Sequence, residues 1–247
     1  FQRLDVLSVF VGFFRSGPLF YTLMWVAAQV TGADAFVLLK ATGAPLYGGL
    51  LVSFFVFLKR GLKSDWKIAF LATLILAFQV AALRESWDRF RTVLGLIFLF
   101  ASLTALRSSG KQKWWLLAAT GVFTALSREY VALVLFVTVL GFSLLEKKDR
   151  ILPLIALSPA VAVFLVMVAP SLASFGAIFT SADTYAFRGY FWTARDALVI
   201  FVICYLTLLP FVSKGWQRDS LITPMLAWLL LGSFSVVSPW FSVPGYQ

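Results

Sequence analysis

Long apolar runs broken by short charged clusters set the pattern of this chain. From the first charged break onward, the runs predict helices over Ala35–Leu58, Ile68–Leu83, Thr92–Leu106, Trp114–Leu126, Val131–Leu145, Ile151–Val168, Ala197–Val212 and Leu221–Val237. Runs of this length and composition are those of helices that cross a hydrocarbon layer of about 30 Å. Before them, Pro18–Val30 opens on a proline suited to a first helical turn and is too short to span. With Tyr21 and Trp25 it reads as a helix lying flat in the interface. Gly32 and Asp34 mark the break before the first span, and Lys40 sits near one end of that span, where its ammonium can snorkel. Trp114–Leu126 is short for a span. Fusing it with Val131–Leu145 through Ser127-Arg128-Glu129-Tyr130 would give one long helix. That fusion would put the basic loops Arg107–Lys113 and Glu146–Arg150 on opposite sides, so two helices are preferred.

Composition confirms the class: 61% of residues are hydrophobic and only 13% charged, more apolar surface than a soluble fold of 247 residues could bury. The fold expected is all-α: a polytopic transmembrane helical bundle with an interfacial juxtamembrane helix. Residues 1–34 form part of a first outer loop, and 35–247 form one transmembrane domain of about eight spans. Beginning at Phe1 and ending at Gln247, with neither an initiator Met nor a signal-peptide pattern, the chain reads as part of a longer protein.

The net charge of +10 is first a topology signal. Loops 59–67, 107–113, 146–150 and 213–219 carry 12 Lys plus Arg, and the alternate loops 84–91, 127–130 and 170–196 carry 6. The first set is therefore cytoplasmic. All eight loop lysines lie in that set, whereas the outer set holds arginine alone, mixed with acids. Arginine without lysine fits recognition of planar anions such as phosphate or carboxylate, although a chance split by residue type would look the same. The basic residues sit between spans rather than on one folded face with exposed aromatics, so nucleic acid is excluded as a partner. The single Cys204 allows no intrachain disulfide. The lack of histidine removes histidine triads, metal sites and proton relays, and leaves carboxylates, Arg, Lys, Tyr and Ser for chemistry.

Three stretches carry a resemblance. Arg15-Ser-Gly-Pro-Leu-Phe-Tyr leads into a short helix, Gly32 and a long span ending in Lys59-Arg60. ESWDRF places Asp88 just before a span, and GVFTALSREY places Ser127-Arg128 after a small-residue apolar stretch. Together, over roughly residues 10–170, they resemble the layout of GT-C membrane glycosyltransferases, among them protein O-mannosyltransferases and the lipid A aminoarabinose transferase. The resemblance implies a polyprenyl-phosphate-linked sugar donor, a lipid, glycan or protein acceptor, and an active site on the outer face of a membrane, here a prokaryotic cell membrane. The family's acidic residue of the first outer loop falls before Phe1, so Asp5 is not taken as the base.

Sugar transfer of this kind needs a carboxylate to orient or deprotonate the acceptor hydroxyl, and cations to stabilise the leaving phosphate. The catalytic candidates are Asp88 and Glu85, three residues apart on one helical face if the preceding helix continues. The same pair would hold a divalent metal, Mg or Mn, if one is used. The candidates for the lipid phosphate are Arg15, Arg84, Arg91, Arg128 and Arg188. The competing reading of the knot 84–91 is a self-neutralised loop of ion pairs that caps two helices. Glu129 pairs with Arg128 or reaches the same cavity. Tyr185, Tyr190, Trp192 and Arg195 fit either sugar stacking or an interfacial belt. A transporter or lipid flippase is the alternative from another class. It would place ionisable groups at mid-span and interrupt the helices. A non-catalytic scaffold would have no need of acids and arginines gathered on one side.

Overall fold

The computed structural model describes residues 18–78, 90–110, 112–146, 151–172 and 221, and among them it is all-helical. The helices are α1 (Pro18–Thr31), α2 (Ala35–Val56, continuing through a π-helical turn, Phe57–Gly61), α3 (Trp66–Phe78), α4 (Phe90–Arg107), α5 (Gln112–Ser127), α6 (Glu129–Leu145) and α7 (Leu152–Leu172). Phe36–Gly61 and Phe90–Arg107 are long and apolar enough to cross a membrane; Trp66–Phe78, Glu129–Leu145 and Leu152–Met167 are apolar but shorter. The expected helices over 197–212 and 221–237 lie outside the described residues, Leu221 aside.

The chain divides into two compact units. One comprises Phe1–Leu135 and Leu152–Pro170, the other Phe136–Ile151 and Ser171–Gln247. In the second, the described part of α6 buries Thr138, Val139, Phe142 and Ser143.

Punctuation by single residues sets the helix boundaries of the first unit. Gly32 ends α1 with φ +66°, its N–H donating to the Ala28 carbonyl at 2.9 Å, the left-handed stop that glycine adopts without penalty. Two residues later Asp34 caps α2 by accepting from the Phe36 N–H at 2.7 Å. α2 and α3 are antiparallel, since the Tyr47 hydroxyl reaches the carbonyls of Leu76 and Ala77 at 3.1 and 2.9 Å. α2 and α4 are parallel. A Cβ on Gly49 would lie 3.2 Å from Ile97 Cδ1, and further along, the Phe100 ring packs on Phe54 and Phe57 with centroids 5.1 and 5.5 Å away.

α4 and α5 form an antiparallel hairpin joined by a polar contact. Thr120 donates its hydroxyl proton to the Leu116 carbonyl (2.6 Å), which leaves Oγ1 to accept from Ser102 at 2.9 Å. Hydrogen bonds between apolar helices average about 0.6 kcal/mol. Ser102→Ala is therefore expected to lower stability in detergent by about that amount, and by no more when Thr120→Ala is added.

α5 and the first turns of α6 are two helices, as the loop charges required. Only Arg128 separates them. A Cβ on Gly121 would lie 3.9 Å from Leu135 Cδ2, and these residues stand seven positions either side of Arg128. In one continuous helix they would be about 21 Å apart. The chain therefore folds back at Arg128. α7 joins at the same level, with Leu157 Cδ1 and Ala160 Cβ 2.9 and 3.3 Å from that Cβ position.

The first unit thus has an arginine end, with the start of α4 and the α5–α6 turn, and a lysine end, with 59–67 and the α4–α5 connection. α1 packs at the arginine end. Phe20 is buried and stacks on Phe90 at 5.6 Å and 11°. Tyr21, Trp25 and Val30 of α1 stay exposed, as do Phe70, Ile75 and Phe78 of α3.

Candidate functional site

Helix geometry brings two separate charge clusters of the sequence together at the arginine end. Arg91 lies in the first turn of α4, and Gly95 is one turn below it, so both occupy the same helical face. A Cβ on Gly95 would meet Val131 Cγ2 at 3.3 Å and Arg128 Cβ at 3.4 Å. The absent side chain therefore allows the α5–α6 turn to approach α4 closely, directly beneath Arg91.

The result is a charged triad centred on Glu129, which opens α6. Its Oε2 is 3.7 Å from Arg91 Nη2, and its Oε1 is 3.7 Å from Arg128 Nη1. Each arginine thus faces one carboxylate oxygen, at ion-pair range but beyond hydrogen-bond length. Two guanidiniums and one carboxylate leave a local charge of +1. The side chains are mostly withdrawn from solvent, with 18% of Arg91, 28% of Arg128 and 25% of Glu129 exposed. Arg91 Nε and Nη2 and Glu129 Oε2 are buried with no hydrogen-bond partner. Buried charged atoms without such partners cost free energy, a cost that an oxyanion accepting from Arg91 Nε and Nη2 would relieve.

Aromatic rings flank the triad. The Arg91 guanidinium lies 5.9 Å from the Tyr21 ring centre and that of Arg128 lies 5.1 Å from the Tyr130 ring centre, within reach of cation–π attraction. α1 thus contributes Tyr21 to the same place.

Of the residues expected at a site, Arg91 and Arg128 are brought together here. Arg15, Arg84, Glu85, Asp88 and Arg188 lie outside the described residues, as does the proposed metal pair Glu85–Asp88. Among the described residues no cluster of three or more metal-ligating side chains occurs. The sequence had Glu129 pair with Arg128 or reach the same cavity as the 84–91 knot, without naming Arg91 as its second partner. The signal available was Gly95, one turn from Arg91 and the one glycine of α4.

Comparison of the chain with protein-family models, with curated proteins and with solved structures returned no match.

Proposed function

We propose that this protein is a multi-pass membrane glycosyltransferase of GT-C type. It would move a sugar from a polyprenyl-phosphate carrier to an acceptor at the arginine end, the outward face. The observation that carries the reading is the net-positive triad Arg91–Glu129–Arg128, with hydrogen-bond donors left over and two tyrosine rings beside it. A lipid phosphate is a tetrahedral oxyanion whose oxygens two planar guanidiniums can engage, and as leaving group it gathers the charge they are placed to stabilise. Glu129 fixes the spacing of the arginines, and the tyrosine rings offer apolar faces for sugar or isoprenoid. Asp88 and Glu85, two and five residues before the start of α4 in sequence, supply the carboxylates for the acceptor hydroxyl, alone or with a divalent metal.

Membrane residence is supported by exposure as well as length. Only 11% of the apolar window in Phe36–Gly61 is buried, against 44% for Phe90–Arg107. A long apolar helix left that bare needs lipid around it, whereas a soluble core helix would be covered. Six further apolar segments, the shorter α3, α5, α6 and α7 and those expected over 197–212 and 221–237, would complete a multi-pass arrangement.

Against a transporter or flippase stands the placement of charge. In the described helices every ionisable Lys, Arg, Asp or Glu falls within the first or last two turns, from Lys40 to Glu129. A conduction path would carry them at mid-span. The test is a transfer assay with the protein reconstituted in liposomes, offered a radiolabelled polyprenyl-phosphate sugar or the matching nucleotide sugar. Label is expected to leave the lipid carrier only. Label lost from the nucleotide sugar alone, or from neither, overturns the reading.

A further inference from the structure

The lysine end of the first unit presents a built cationic surface that the sugar-transfer reading does not use. Lys59, Arg60, Lys63 and Lys67 fall within nine residues together with a single acid, Asp65, which leaves a local charge of +3. All four cations are exposed. The segment that carries them is anchored. Phe57, Leu58, Gly61 and Ser64 are buried beneath it. The π-helical turn brings Gly61 so close to Phe57 that a Cβ would lie 2.8 Å from the ring. The Leu62 N–H donates to the Phe57 carbonyl and the Ser64 N–H to the Leu58 carbonyl, both at 3.0 Å. Lys63 takes a left-handed φ of +53°, which turns the chain back over this base.

Asp65 does not neutralise the array. Its Oδ1 accepts from the Trp66 N–H at 2.7 Å at the start of α3, and among the described residues no ion pair joins a carboxylate to any of the four cations. The cationic band passes directly into an apolar one, since Trp66, Ile68, Phe70 and Leu71 are exposed on the following turns of α3.

We infer that this surface binds the phosphate headgroup of an anionic phospholipid, with the acyl chains lying along the exposed face of α3. Charge and apolar surface in immediate succession fit an amphipathic anion, which a nucleic acid or a free phosphate is not. Trp66 sits at the boundary, where an indole is favoured. Juxtamembrane cations gain about fivefold in anionic-lipid affinity each at low ionic strength. The inference rests on membrane residence but not on sugar transfer, because the surface lies at the end opposite Arg91.

The test is lipid enrichment. The protein would be purified from mixed vesicles of one part phosphatidylglycerol to four parts phosphatidylcholine, and the retained lipid measured by native mass spectrometry. Phosphatidylglycerol is expected to be enriched severalfold at low salt, and less so at 0.5 M NaCl. Lys67→Gln should reduce the enrichment severalfold, and the variant K59Q/R60Q/K63Q/K67Q should return it to the bulk ratio. K59R/K63R/K67R, which keeps charge and topology signal, should retain it. Inorganic phosphate at 10 mM should not displace the lipid. Unchanged enrichment in Lys67→Gln, or displacement by inorganic phosphate, would overturn the inference whether or not the quadruple variant folds.

Discussion

Glu129→Gln is expected to destabilise the protein by about 3 kcal/mol, and to cost clearly more than Arg91→Gln. The asymmetry follows from the charge count. Removing Arg91 leaves Arg128 and Glu129 as a neutral pair at 3.7 Å. Replacing the carboxylate by a neutral amide leaves two guanidiniums, each largely withdrawn from water, facing one another with no charge between them. Breaking such a group by deleting the one counter-charge it has among the described residues is costly because the remaining charges keep their desolvation penalty. The double variant Glu129→Gln/Arg91→Gln should therefore be more stable than Glu129→Gln alone. Denaturation in detergent, followed for the four proteins of the cycle, reads this directly. Equal costs for the two single variants would show that the acid does not hold the triad. The same cycle reports on function. Polyprenyl phosphate supplies the anion that the Gln variant lacks, so it should raise the denaturation midpoint of Glu129→Gln by more than that of the parent. It should leave Arg91→Gln/Arg128→Gln unmoved.

The helix limits were legible because single residues enforce them. Pro18 opens α1, Gly32 and Asp34 separate it from α2, and the expected boundaries of α4 to α7 fall within a few residues of those observed. Each rests on local backbone chemistry or on the length of an apolar run, which sequence displays. The loop charges likewise anticipated the fold-back at Arg128, since a continuous helix would have separated loops of like charge. What local pattern could not display was packing. The π-helical turn after Val56 begins at Phe57, whose ring stacks on Phe100, a tertiary contact. Arg91 and Arg128 stood out in the sequence as candidates for an anion site from their lysine-free company. Their sharing of Glu129 depends on how closely α4 and α6 approach, and Gly95 sets that distance.

A second close approach gives the other large effect: Gly121→Leu is expected to cost about 3 kcal/mol, while Gly121→Ala is close to neutral. Gly121 lies where α5, α6 and α7 converge, among Leu117, Ala125, Leu135, Leu157 and Ala160, all buried. A single added Cβ would stand 2.9 Å from Leu157 Cδ1, a terminal carbon that can rotate away. It would also stand 3.3 Å from Ala160 Cβ, which can yield only if α7 shifts by a few tenths of an ångström. That crowding offsets the gain of about 0.5–1 kcal/mol from replacing glycine by alanine within a helix. Leucine adds three more carbons to the same closed space, and neither the backbone of α5 nor that of α7 has room to admit them without separating. Leu157→Ala vacates part of that space, so Gly121→Leu/Leu157→Ala should be more stable than the sum of the two single effects allows. Additive costs, or a Gly121→Leu protein within 0.5 kcal/mol of the parent, would mean that the three helices are not in close contact there. Because α5 ends at the turn that carries Arg128, the displacement should also reach the arginine end. The sugar transfer proposed for this protein is expected to fall with stability in Gly121→Leu, and to recover in the double variant as the helices close again.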